Sequence, residues 1–385
     1  MTLTFGFLST YPPTECGLAT FTAALVGHIR AERSPGIAGV VRVVDTPQGS
    51  SRPEVAHTLV TTSPGGEAEA ARILSGFDAV IVQHEYGIYG GRDGDQVLMV
   101  LEAVTSPIIV VLHTVPADPT PHQTAVLERV VQLADAVVTM TSTAERRLLR
   151  GYQVDPALVS VIPHGAPGGP ASSPATGSGT DRPTILTWGL LGPGKGVEWG
   201  VEALVGLRDL DPLPRYLVVG ETHPRVVERD GEAYRKSLSA LAKRHGVDHM
   251  LEFEPRYLDA AGLARVVGEA DVVLLPYDST DQVTSGVLVE AVAAGKPVIA
   301  TGFPHAVEIL GGGAGLVVAH RDPDGIARAV RRVLCEPGLA DRLRAAATTA
   351  APELLWPAVA ARYRGLAAGL VEERSCLEER SCVVA

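Results

Sequence analysis

The stretch that decides the fold is Pro276-Tyr277-Asp278-Ser279-Thr280-Asp281-Gln282-Val283-Thr284-Ser285-Gly286-Val287-Leu288-Val289-Glu290-Ala291, continued by Gly295-Lys296-Pro297-Val298-Ile299-Ala300-Thr301. Residues 272–276 are apolar and read as a buried strand. A polar loop follows, then a helix over 287–294, then a second strand over 297–300. Strand, loop, helix and strand in so short a span make the repeating unit of a parallel sheet with helices on its faces. The helix start near Ser285 and Gly286 bares N–H groups that have no partner within the helix and carries a partial positive charge. Glu290, about one turn further on, is placed to accept bonds from sugar hydroxyls; the plain alternative is a solvated helix residue.

Upstream, the strand Thr184–Trp188 runs into Gly189-Leu190-Leu191-Gly192-Pro193-Gly194-Lys195-Gly196, with a helix at 199–207. A glycine-rich turn bares backbone N–H groups and lets an anion come close, and Lys195 adds a mobile positive charge for phosphate oxygens. This is not a Walker A loop, which needs Ser or Thr straight after its lysine. Taken alone, the segment is also readable as a loose loop with a surface lysine. The alternation continues with strands at 215–220, 251–253 and 315–318, and helices at 234–245, 260–270, 323–335, 339–347 and 356–366. Gly220-Glu221-Thr222-His223 ends one of these strands and either touches a base or ribose or is a plain loop.

The first half follows the same pattern, with strands expected at 4–8, 40–44, 79–83, 107–113, 136–140 and 159–162, and helices at 18–30, 67–74, 97–102, 124–133 and 144–150. Such alternation specifies parallel sheets covered on both faces, hence an α/β chain of two doubly wound, Rossmann-like domains. Residues 166–183 are rich in Gly, Pro, Ser, Ala and Thr and read as a linker. The expected division is an N-terminal domain over 1–165, that linker, a C-terminal domain over 184–350, a closing helix over 351–370 and a tail over 371–385 with a repeated Glu-Glu-Arg-Ser-Cys. Ligands of doubly wound sheets bind beyond the carboxyl ends of the strands, so a central cleft faced by both domains is the expected site. On its N-terminal wall, His84, Glu85 and Tyr86 follow one buried strand and His113 another. They offer polar and aromatic groups suited to a sugar ring; both histidines are also readable as structural residues.

The chain has 385 residues, 46% hydrophobic and 20% charged, enough to bury two cores. Its formal net charge of −11 argues against a nucleic-acid partner, because phosphate-backbone binding needs clustered Lys and Arg. The apolar start, 1–8, has neither a basic lead nor a small-residue cleavage site and reads as a first strand. With no apolar run long enough to span a bilayer, a cytoplasmic location is expected. The four cysteines, Cys16, Cys335, Cys376 and Cys382, form no CxxC pair, so zinc is not expected.

Together the two C-terminal segments resemble the retaining GT-B glycosyltransferases of family 4, also called glycosyl transferase group 1. Gly189, Lys195, Gly196, Glu290, Ala291, Gly295, Pro297 and Val298 stand on that family's motif positions. Tyr11–Phe21 is similar to its first glycine loop, Val161–Gly165 to its interdomain Ile-Pro-Asn-Gly, and Trp356–Tyr363 to its final crossing helix. Two positions depart from the pattern: Leu190 replaces the usual arginine, and Gln282 the first glutamate of the pair.

The resemblance implies a hexosyltransferase that moves a sugar from a UDP- or GDP-sugar co-substrate to a carbohydrate or other hydroxyl acceptor, with retention and without a metal or cofactor. It makes His113, Lys195 and Glu290 the catalytic residues. Gly17, Gly189, Lys195, Glu221, Gln282, Ser285, Gly286, Val287 and Glu290 would bind the donor, and His84, Glu85 and Tyr86 the acceptor. Self-association into a homo-oligomer is left open. The rivals are a GT-B phosphorylase or epimerase, and a sugar-nucleotide binder without catalysis, which Leu190 and Gln282 favour. Slow release of nucleoside diphosphate from the donor without acceptor separates a transferase from a binder.

Overall fold

A computed structural model describes residues 2–31, 38–63, 65–168 and 182–384. The chain forms two compact units, Met1–Gly165 with Trp356–Ala385, and Ala166–Leu355.

In the first unit the order is β1 (Phe5–Ser9), α1 (Gly17–Arg30), β2 (Ala38–Val44), β3 (Val55–Val60), α2 (Gly66–Leu74), β4 (Ala79–His84), α3 (Val97–Ala103), β5 (Ile108–Leu112), α4 (Pro121–Gln132), β6 (Ala136–Thr139), α5 (Ser142–Gly151) and β7 (Val159–Val161). The strands make one parallel sheet in the order β3-β2-β1-β4-β5-β6-β7. β4 and β5 are buried at every position, as continuous Val/Ile runs demand when helices cover both faces. The strand order reverses between β1 and β4, so the loops after these strands flank the switch point.

The second unit runs β8 (Thr184–Trp188), α6 (Val197–Ala203), β9 (Arg215–Val219), α7 (Pro224–Asp230), α8 (Ala233–His245), β10 (Leu251–Glu254), α9 (Ala260–Glu269), β11 (Val272–Leu275), α10 (Gly286–Ala293), β12 (Val298–Thr301), α11 (Pro304–Leu310), β13 (Gly315–Val318), α12 (Pro323–Cys335) and α13 (Leu339–Leu354). Its sheet is parallel in the order β10-β9-β8-β11-β12-β13, and the reversal falls between β8 and β11. The glycine-rich segment leaves β8 and the polar loop leaves β11, so both motifs sit at this sheet's switch point.

The last helix, α14 (Trp356–Val384), belongs to the first unit. Trp356, Val359, Ala360, Tyr363 and Ala367 form its buried stripe and join the core that contains Phe21 and Leu25 of α1. Phe21 and Trp356 meet edge to face at 5.0 Å between centroids.

Several elements differ from the sequence expectation. β3 is not among the expected strands, because His57 and Thr58 interrupt its apolar pattern; it is an edge strand only partly buried. α7 and α11 each open on a proline, which serves as a first-turn residue there and not as a breaker. The expected tail over 371–385 is helical to Val384, since Glu, Arg and Leu are good helix formers and need no burial to extend a helix already begun. Of the expected linker 166–183, Ala166 is fully buried and its N–H donates to Leu354 O at 2.7 Å. The remainder of that call, residues 169–181, lies outside the described residues.

Candidate functional site

In the second unit the two loops at the switch point are joined to each other. Asp278 N–H donates to Gly194 O at 3.0 Å, and Trp199 Nε1 donates to Asp278 Oδ1 at 2.8 Å. Gly196 has φ 64°, and a Cβ there would lie 1.8 Å from Pro276 O, so only glycine lets the loops touch. Gly189 has φ 119°, and its position approaches Val287 of α10. Lys195 Nζ lies over the ring of Tyr277, 4.5 Å from its centroid, and no carboxylate pairs with it among the described residues. Tyr277 is itself fixed: its carbonyl accepts from Thr301 Oγ1 at 2.6 Å and from His320 Nδ1 at 2.9 Å, and its ring stacks on Phe303.

The polar loop ends at Ser285, whose Oγ caps α10 by accepting from Leu288 N–H. The Ser285 N–H donates to His305 Nδ1 at 2.8 Å. It is therefore committed inside the protein, contrary to the expectation that it faces a ligand. The N–H groups of Gly286 and Val287 have no acceptor among the described residues. Gln282 spends its amide Nε2 on Thr284 O at 2.8 Å, which leaves its Oε1 as an acceptor. Glu290 is not a freely solvated helix residue. Trp188 Nε1 donates to its Oε2 at 3.2 Å, and burial pushes the carboxyl up to about 7 against that hydrogen bond. Glu221 is exposed beyond β9, and its carbonyl accepts from Leu191 N–H at 2.8 Å.

In the first unit, the ends of β4 and β5 bring His84, Glu85, Tyr86 and His113 together. His113 Nε2 bonds Gln83 Oε1 at 2.7 Å, and His113 N–H donates to His84 O at 3.1 Å. Thr114 Oγ1 donates to Glu85 Oε2 at 2.5 Å, and the rings of His84 and Tyr86 meet edge to face. Burial pushes His84 down to about 4 and, with His164 and His84 nearby, His113 down to about 3, so both are neutral at physiological pH. Burial pushes Glu85 up. His84 is only 1% exposed, so Glu85 and Tyr86 carry the accessible surface of that trio. His84 Nδ1 and Gln83 Nε2 are buried without a hydrogen-bond partner among the described residues. Gly17 is the first residue of α1, and a Cβ there would meet nothing within 4 Å. No three His, Cys, Asp or Glu among the described residues gather as metal ligands. No helix among them is long and apolar enough to cross a membrane.

Residues that the motif reading passed over are Trp188, Tyr277, Asp278 and His305. Trp188 and Tyr277 each follow or end a buried apolar strand, the position from which a side chain reaches a switch point. That signal was present; the partners they choose were not.

Residues 182–336 match the family model for glycosyl transferases group 1. The D-inositol 3-phosphate glycosyltransferase of Streptomyces bingchenggensis is 32% identical over 247 residues, which is 61% of this chain and 52% of that protein. The chain spans about half the length of the curated relatives it matches. Among solved structures, a glycosyltransferase from Rickettsia africae is 14% identical with a TM-score of 0.73, covering 96% of this chain and 99% of that one. Anabaena HepE in complex with UDP is 16% identical with a TM-score of 0.75, covering 95% and 100%. Residues 182–336, which include both switch-point loops, are thus similar to the glycosyl transferases group 1 family, and two parallel-sheet units with this strand order make the fold GT-B.

Proposed function

We propose that the protein is a retaining, metal-independent glycosyltransferase that uses a nucleoside diphosphate sugar. One observation carries the reading. At the switch point of the second sheet, two adjoining loops supply an ammonium and two helix-start N–H groups that, among the described residues, have neither a carboxylate partner nor acceptors. That set suits a diphosphate. HepE, a structural neighbour solved with UDP and with UDP-glucose, supports the ligand class.

In this reading the bond between the anomeric carbon and the leaving phosphate oxygen breaks through an oxocarbenium-like transition state. Lys195 and the Gly286 and Val287 N–H groups meet the charge that grows on the diphosphate; each such donor is worth roughly 2.7–4 kcal/mol in a transition state. Glu290, with Trp188 holding one oxygen, accepts from the ribose hydroxyls, and Gln282 Oε1 accepts from the donor sugar. Gly189 allows close approach of the phosphates, and Glu221 lies where the base or ribose ends. The acceptor oxygen attacks from the face the phosphate leaves, and its proton passes to the departing phosphate. Retention follows from that same-face displacement. In the first unit, Glu85, Tyr86 and the neutral His113 hold acceptor hydroxyls, with His84 behind them and Gly17 leaving room at the start of α1. The enzyme works in the cytoplasm, where sugar nucleotides are made.

The test is a thermal-shift screen of UDP, GDP and ADP with their sugars, followed by an assay for release of nucleoside diphosphate without acceptor. Binding together with slow release is expected. Absence of binding by every nucleoside diphosphate removes the reading, and binding without release converts the protein into a binder.

A further inference from the structure

His305 lies far along the chain from the glycine-rich loop and carries none of the motif chemistry. It is nevertheless bound to both ends of the segment that opens α10. Its ring Nδ1 accepts from Ser285 N–H at 2.8 Å, and its backbone N–H donates to Gln282 O at 3.3 Å. Between them, Gln282 Nε2 donates to Thr284 O. The side chain is 4% exposed, at the second position of α11. A backbone amide can only donate, so Nδ1 must be unprotonated and the ring carries its proton on Nε2. Two residues earlier, Phe303 stacks on Tyr277 at 5.2 Å, and Tyr277 is the ring beneath Lys195. The entry to α11 thus grips the loop after β11 at its beginning and at its end.

We propose that His305 is a positioning residue: it draws the Ser285 N–H inward and so fixes the first turn of α10 with the Gly286 and Val287 N–H groups open to a diphosphate. The proposal rests on the reading that the diphosphate binds there. Ser285 is held by two bonds of opposite sense, its Oγ accepting from Leu288 and its N–H donating to His305. The peptide planes that follow therefore have one orientation. Without the ring acceptor the Ser285 peptide is free to rotate, and the two open donors lose their common aim. Donors set in advance are worth more than donors that must be ordered on binding.

The experiment compares wild type with His305→Asn, His305→Gln, His305→Leu and Lys195→Ala, using UDP and GDP as probes by calorimetry, donor turnover for KM and kcat, and thermal melting for folding. Asn places an amide oxygen near the Nδ1 position, whereas Gln reaches toward Nε2. The expected result is near-wild-type behaviour in His305→Asn and nucleoside diphosphate affinity and kcat both lower by about tenfold or more in His305→Gln, with similar melting temperatures. His305→Leu should match Gln where it folds; where it does not, the Asn–Gln pair decides. Equal affinity and kcat in Asn and Gln overturn the proposal. If that equality comes with loss of binding in Lys195→Ala, only the role of His305 fails. If Lys195→Ala also binds normally, the diphosphate reading itself is wrong.

Discussion

Trp188 Nε1 donates to Glu290 Oε2 across 3.2 Å, tying the last residue of β8 to the second turn of α10. The bond favours the ionised carboxylate, while burial opposes it more strongly and leaves the group near 7. It also settles which oxygen is spent, so Oε1 is the one available for another partner.

The raised carboxyl makes stability depend on pH with a definite sign. Between the ordinary glutamate value of about 4.3 and about 7, the folded chain holds a proton that the unfolded chain has released. The contribution of Glu290 is therefore greatest below that window and is lost as pH rises through it. Melting curves of wild type and Glu290→Gln should diverge from about pH 5 to about pH 8, with the Gln protein gaining relative stability. Parallel curves across the range would show that Glu290 titrates normally.

Removing the indole N–H while keeping an aromatic ring isolates the bond. In Trp188→Phe the carboxyl should rise further, moving the acidic limb of nucleoside diphosphate binding to higher pH. Affinity at neutral pH should fall by about tenfold, as for a lost bond to a charged group. An affinity-versus-pH profile identical to wild type would exclude the bond from the site.

If Lys195 meets the leaving diphosphate as proposed, Lys195→Ala should lower kcat/KM by about a hundredfold, because its ammonium would act on charge that develops late. Its melting temperature should change little, since the ammonium lies over the Tyr277 face and pairs with no carboxylate among the described residues. A variant with wild-type turnover would move the diphosphate elsewhere.

Gly196→Ala should separate the two loops of the switch point. The new Cβ would press on Pro276 O, and a left-handed non-glycine residue costs about 1–3 kcal/mol by itself. Denaturant melts should show that loss together with a weaker nucleotide response; unchanged stability would mean the loops are free to part.

The architecture was legible because its signal is local. Continuous Val and Ile runs such as 108–112, with helical stretches between them, leave few alternatives to a parallel sheet. β3 was missed because an edge strand half open to water keeps residues such as His57 and Thr58 that hide its pattern. Lys195 and Glu290 were named from their place after a strand end and Gln282 from the family resemblance; Lys195 and Gln282 lie on the two joined loops and Glu290 in α10. What the spacing did not contain was choice of partner. Ser285 N–H turns inward because His305 is there, and Glu290 is shielded because Trp188 is there; both partners are distant in sequence, and their contacts exist only once the sheet has ordered the strands.

The chain's first unit is interrupted by its second, and this orders events during synthesis. By the time Leu355 has been made, every strand of the inserted unit exists, whereas the earlier unit still lacks Val359, Ala360, Tyr363 and Ala367 from its core. Because domains fold as units while the ribosome proceeds from the amino end, the half begun first is the half completed last. Until α14 emerges, α1 must keep the face around Phe21 and Leu25 uncovered, so a stop anywhere before Tyr363 leaves a finished second unit attached to an unfinished first one.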